Sequence, residues 1–203
     1  MEIMSFTKKN QRNQNNNPSF NYQNEDAILK VIAFLFSPNE EEKSLTINAL
    51  GLPLGTSEAM AEIFLNVQRL YSKDSGRRIR HESLHLTFDE AMDKKGQNRT
   101  LEIFFHFALF YYYHGFQTVY SVHQTQGGFH AHYAINTVSF CDGHKYHGND
   151  ALLHYQENYA ACLIESITQK PAHPMQKITW EEFEYSDFLA IPEGLIHASL
   201  ANP

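Results

Sequence analysis

Positive charge is in short supply in this chain: 16 lysines and arginines stand against 23 acids, for a formal net charge of −7. That balance excludes a protein that coats nucleic acid with its whole surface, because phosphate binding is supplied by cations. A local basic patch survives it. Residues 176–203 set Lys177 against Glu181, Glu182, Glu184, Asp187 and Glu193, a local −4, which leaves only −3 for the rest. The cations of that remainder gather at Lys8, Lys9 and Arg12 and in KDSGRRIR, residues 73–80. Cysteine is scarce too, with Cys141 and Cys162 alone, so a disulfide scaffold is excluded. With no signal-peptide pattern, a cytoplasmic protein with free thiols is expected. Long hydrophobic runs are missing: the longest, around Ile103–Tyr113, falls short of the ~20 residues that span a bilayer. No membrane partner is expected.

Apolar residues, by contrast, make up 42% and aromatics 13% of 203 residues, enough for one well-filled domain. Residues 8–24, KKNQRNQNNNPSFNYQN, cannot bury enough apolar surface to order themselves. We therefore expect a flexible arm over 1–24, a folded domain over 25–168 and an acidic extension over 169–203, irregular around Pro171, Pro174 and Pro192. Asn24 suits a helix cap, and Ile28, Val31, Ile32 and Leu35 recur at helical spacing until Ser37-Pro38. Thr56 or Ser57 caps a second helix with Met60, Ile63, Phe64, Val67, Leu70 and Tyr71 on one stripe. Residues 81–88, HESLHLTF, alternate as a strand. LEIFFHFALFYYYHG, residues 101–115, reads as a buried helix closed by Gly115, with Tyr111–Tyr113 as core and helix end. Two alternating runs, 117–123 and 129–140, flank Gly127 and Gly128 in a hairpin, and 151–168 is helical. The fold class is α/β of the α+β kind, a central antiparallel sheet with flanking helices.

Histidine is plentiful, with 12 in the chain. In VYSVHQTQGGFHAHYAINTVSF, residues 119–140, His130 and His132 are two apart and share a strand face, with Phe129, Ala131, Tyr133 and Ile135 on the other. His123 closes the preceding strand. Paired strands lie ~5 Å apart, so three imidazoles can converge on one point. Three neutral imidazoles suit a divalent metal and leave positions open for substrate oxygens. A His-x-His pair also arises by chance on a strand face, and a third reading is a three-His metallohydrolase of small molecules. The other nine histidines read as surface or core residues, His81, His85, His144 and His147 among them.

This hairpin, followed by DGHKYHGND, resembles the third motif of conjugative relaxases, the HUH-type mobilisation nucleases of the MobP-like kind. Upstream, AILKVIAFLFSPNEE, GTSEAMAEIF and SKDSGRRIRHESLHLTFDE are similar to the family's earlier motifs in the same order. The resemblance covers roughly residues 25–165. It implies a relaxase domain that nicks single-stranded DNA at an origin of transfer, with His123, His130 and His132 holding Mn or Mg. A tyrosine attacks phosphorus, giving a 5′-phosphotyrosyl adduct for plasmid or conjugative-element mobilisation, alongside accessory relaxosome proteins. Arg77, Arg78 and Arg80 are then candidate contacts to the DNA backbone, and Asn136 a candidate support on the His130/His132 face.

Two departures bear on the chemistry. The family's nucleophilic tyrosine falls on Phe34, in KVIAFLFSP, which lies off the apolar stripe of its helix. Either the phenylalanine is an engineered replacement, or the domain is a naturally disarmed DNA-binding module, or another residue attacks. The nearest upstream candidate is Tyr22, otherwise an exposed tyrosine in a polar arm. The acid that relatives carry two residues after the first histidine is here Thr125.

Overall fold

The computed structural model describes residues 2–7, 22–36, 43–87, 93–125, 128–169 and 172–174. Ten elements follow in order: β1 (Glu2–Thr7), α1 (Ala27–Phe36), β2 (Lys43–Leu50), α2 (Ser57–Leu70), β3 (Ile79–Thr87), α3 (Lys94–Tyr113), β4 (Thr118–Thr125), β5 (Gly128–Asn136), α4 (Asp150–Thr168) and β6 (Ala172–Pro174). The six strands form one sheet in the order β2-β4-β5-β3-β1-β6. Every neighbouring pair is antiparallel except β1 and β6, which run parallel. The α+β class and the central antiparallel sheet expected from the sequence are therefore present.

The sheet carries a separate core on each face. On one, α3 and α4 bury Phe104, Phe107 and Tyr111 against Tyr120, Ala131, Tyr133 and Ile135. On the other, α1 and α2 bury Ile28, Ile32, Leu35, Met60 and Phe64 against Ile79, Val119 and Ala134. The strict alternation of β5 produces this division, with odd positions on the α3/α4 side and even positions on the α1/α2 side.

Several boundaries differ from the sequence-based expectation. Glu2–Thr7, inside the expected arm, pairs with β3 as β1, because an open strand edge supplies partners for backbone groups that composition alone leaves unsatisfied. Residues 8–21 lie outside the described residues, as do 175–203 of the expected extension; Ala172–Pro174 pairs with β1. Strand β2 has no counterpart among the expected elements. Its pairing with β4 slips between Ser44 and Thr46, so Leu45 packs on the α3/α4 core while Ile47 and Ala49 pack on the other. Helix α3 begins at Lys94 behind its cap Asp93, whose side chain accepts from Gly96 N at 2.7 Å. Gly115, at φ +81°, turns the chain out of that helix, and Tyr112 and Tyr113 face solvent while Tyr111 is core.

The stripe read for α2 is rotated. Thr56 does cap it, accepting from Ala59 N, but Leu70 is 74% exposed and Gln68 is fully buried in its place. Gln68 Nε2 donates to Arg78 O at 2.6 Å and to Asn136 Oδ1 at 2.8 Å. A polar pair between helix and sheet thus decides the rotation, which an apolar pattern cannot reveal.

Candidate active site on the histidine face

Strand register assembles the site. β4 and β5 pair His123 with His130 and Ser121 with His132; β3 and β5 pair His85 with His130 and Ser83 with His132. With a side-chain period of two, His123, His130, His132, His81 and His85 all project on the α1/α2 side. The rings of His123, His130 and His132 lie with centres 4.9–5.6 Å apart. His85 stacks on His130 at 5.2 Å, and His81 meets His132 at 5.2 Å. His81 and His85, ordinary surface or core residues by sequence, thus belong to the cluster. The signal that could have found them is the alternation His81-Ser83-His85, which needs only a register opposite β5 to join the other three.

Helix α1 crosses this face and brings Phe34 to it. The Phe34 ring packs edge-on against His81 at 5.6 Å and His132 at 5.4 Å. Its place off the apolar stripe is thereby explained: Ile28, Val31, Ile32 and Leu35 face the core, while Phe34 faces the imidazoles. Tyr22 lies elsewhere. It is only 8% exposed, packed into the α1/α2 core, with the Arg77 guanidinium over its ring at 5.2 Å. Burial raises its pKa, opposed by Arg77 and Arg80. It is a core residue rather than the exposed tyrosine expected of a polar arm.

The donor set has the chemistry of a divalent-cation site. Burial, followed by repulsion from His81, His130, His123 and His85, lowers the pKa of His132 to about 2, so its imidazole is neutral, the form that ligates metal. Imidazoles sharing one ion with bonds of about 2 Å have ring centres about 5 Å apart, close to the spacing observed. Identity, the neutral His132 and spacing therefore suit a cation. Ring orientation does not: His123 and His130 stack at 14°, and no group of three or more His, Cys, Asp or Glu among the described residues is arranged to hold an ion. Ser121 Oγ lies 2.8 Å from His123 Nε2. Thr125, where relatives carry an acid, lies at the end of β4, its hydroxyl donating to Gly128 O at 3.4 Å.

The predicted strand contacts separate into two groups. Arg77 is exposed and Arg78 half-buried, on the turn before β3. Lys73 and Lys145 join them: Lys73 Nζ donates to Gly143 O, and Lys145 Nζ to Lys73 O and Ser75 O. Burial lowers the Lys145 pKa, with Lys73 and Arg78 adding to it, so these three cations form one patch, with Arg77 next to Arg78 in the chain and over the Tyr22 ring. Arg80 leaves that patch. It is 9% exposed and turned to the α3/α4 side, where its Nε donates to Glu82 at 2.7 Å. Glu82 also accepts from Tyr111 OH, Tyr146 OH and Gln156 Nε2. Burial disfavours the Arg80 charge, but attraction and hydrogen bonding to Glu82 outweigh it and leave the pKa raised. That guanidinium is committed to Glu82 on the opposite face from the histidines. Asn136 shares the histidine-bearing face, yet it is fully buried beneath α2. Its amide donates to Phe64 O and Gln117 Oε1 and accepts from Gln68 Nε2 and Val138 N. It clamps helix to sheet.

Among the described residues no helix is long and apolar enough to cross a membrane. One family model matches the chain, that of relaxases with a MobA/VirD2-like nuclease domain, over residues 24–164. No curated protein matches it.

Proposed function

Because the chain belongs to the relaxase family of mobilisation nucleases, matched over residues 24–164, we propose that it seats single-stranded DNA of a transfer origin with the target phosphate over the histidine face, beside residue 34. The observation that carries this reading is the packing of Phe34 on His81 and His132. A helix delivers to the imidazoles the one side chain whose place, in relatives, is held by the attacking tyrosine.

His123, His130 and His132 are the residues that would hold Mn or Mg. Such an ion would offset the charge that grows on the non-bridging oxygens during phosphoryl transfer. The chain's own groups do the rest. Arg77 and Arg78, with Lys73 and Lys145 behind them, take neighbouring phosphates by charge and carry no base preference. Paired strands hold the imidazoles at one height over the sheet, and a bound ion would require their rings to turn towards it.

Phenylalanine has no oxygen with which to attack. As the sequence stands, the domain binds and positions the strand without forming an adduct, and Tyr22, locked in the core, does not substitute. In Phe34→Tyr the phenol oxygen would form the new P–O bond while the bond to the 3′ oxygen breaks. That oxygen leaves as a 3′-hydroxyl after taking a proton, and the phenol proton passes to solvent or a neighbouring imidazole. The test is a cleavage assay on origin-containing single strands with Mn²⁺, using the chain as it is and Phe34→Tyr. A covalent protein–DNA band in Phe34→Tyr alone is expected. Nicking by the unaltered chain would mean that another group attacks.

A further inference from the structure

His81 is drawn to the site by register alone, and its contacts are specific. Its Nε2 lies 3.2 Å from Nδ1 of His132, with the two rings tilted by 39°. Phe34 packs edge-on against both rings and, as a hydrocarbon, offers neither of them a competing hydrogen bond. Two ring nitrogens at that distance share one proton, and which ring carries it decides what the rest of His132 can do. If His81 Nε2–H donates, the proton of neutral His132 sits on its Nε2, which then cannot ligate. If His132 Nδ1–H donates, its Nε2 keeps a lone pair. Only the second arrangement is compatible with a ligand role.

We propose that His81 is a positioning residue that accepts the Nδ1 proton of His132, so fixing its tautomer with the Nε2 lone pair left as donor. The alternating positions of β3, β4 and β5 on this face supply no carboxylate to accept that proton. They carry Ile79, His81, Ser83 and His85; Val119, Ser121, His123 and Thr125; His130, His132, Ala134 and Asn136. An imidazole acceptor takes the place of an acid. Orienting partners of ligand histidines act by holding tautomer and ring direction, and their loss weakens metal affinity by about 10–100-fold. The purpose of the tautomer rests on the cation reading above, whereas its existence is measurable without any metal.

The experiment uses the ¹⁵N-labelled full chain, metal-free, with long-range ¹H–¹⁵N spectra and His132→Gln to assign the His132 signals. The Nδ1–H form of His132 is expected in the unaltered chain. In His81→Phe the Nε2–H form should gain, while His81→Gln, whose amide oxygen can accept the same proton, should keep Nδ1–H. Titration with Mn²⁺ by calorimetry should show affinity weakened at least tenfold in His81→Phe and by only a few-fold in His81→Gln. His132 found with its proton on Nε2 in the unaltered chain overturns the proposal, and so does a tautomer indifferent to His81→Phe. That first measurement decides even if His81→Phe fails to fold. Should no form bind Mn²⁺ while the tautomer still follows residue 81, the positioning role stands and the cation reading falls.

Discussion

Burial and four neighbouring imidazoles act together on His132. Burial, then His81, His130, His123 and His85, lower its pKa from the ordinary 6.5 to about 2. Below pH 6.5 the unfolded chain takes up a proton at this position and the folded chain does not, so stability is lost as pH falls through the window from 6.5 towards 2. One such group contributes at most about 1.4 kcal/mol per pH unit. Urea midpoints of chelator-treated protein between about pH 7.5 and 5 should fall more steeply for the unaltered chain than for His132→Gln. Equal slopes would show that the proton is accommodated elsewhere. Phe34 illustrates what one residue type conveys. Its displacement from the apolar stripe is visible in the sequence, and its partners explain it.

Helix α2 shows how an element is set by a polar contact. Asn136 and Gln68 join it to β5 through fully buried amides. Removing one side strands the other, and each buried polar group left unmet costs about 1–3 kcal/mol. Asn136→Ala should lower the unfolding free energy by about 2–4 kcal/mol, with the double variant Gln68→Ala/Asn136→Ala costing less than the sum of the two. Additive losses in chemical denaturation would argue that the amides act separately. The same pair marks the limit of sequence reading. Period-two runs expose β3, β4 and β5, and the spacing of His130 and His132 places both on one face. The rotation of α2 is hidden because Gln68 looks like a surface residue until Asn136 is opposite it. β2 is hidden because its bulge breaks the alternation at Leu45. Arg80 reads as part of a cation run, since nothing local in RRIRHE says that Arg80 and Glu82 turn inward to Tyr111 and Gln156.

At the scale of the molecule, an acidic protein gathers four of its cations at one end of the sheet. Arg77, Arg78, Lys73 and Lys145 gather beyond the start of β3, while His85, His130 and His123 lie towards its other end. Ile79 and His85 stand about 20 Å apart at strand rise, enough for several nucleotides of extended strand. Arg77→Ala and Arg78→Ala should each flatten the plot of log binding constant against log salt by about 0.7 for single-stranded DNA. Fluorescence anisotropy with a labelled oligonucleotide between about 50 and 300 mM salt measures this. An unchanged slope would place the phosphates elsewhere. The sheet order also has a temporal side. β1 lies between β3 and β6, so the first described strand has as one neighbour the last described segment, Ala172–Pro174. During synthesis its outer ladder stays unpaired until that segment emerges from the ribosome. Newborn chains therefore pass through a stage with an adhesive edge, when strand-to-strand capture between copies competes with completion of the sheet.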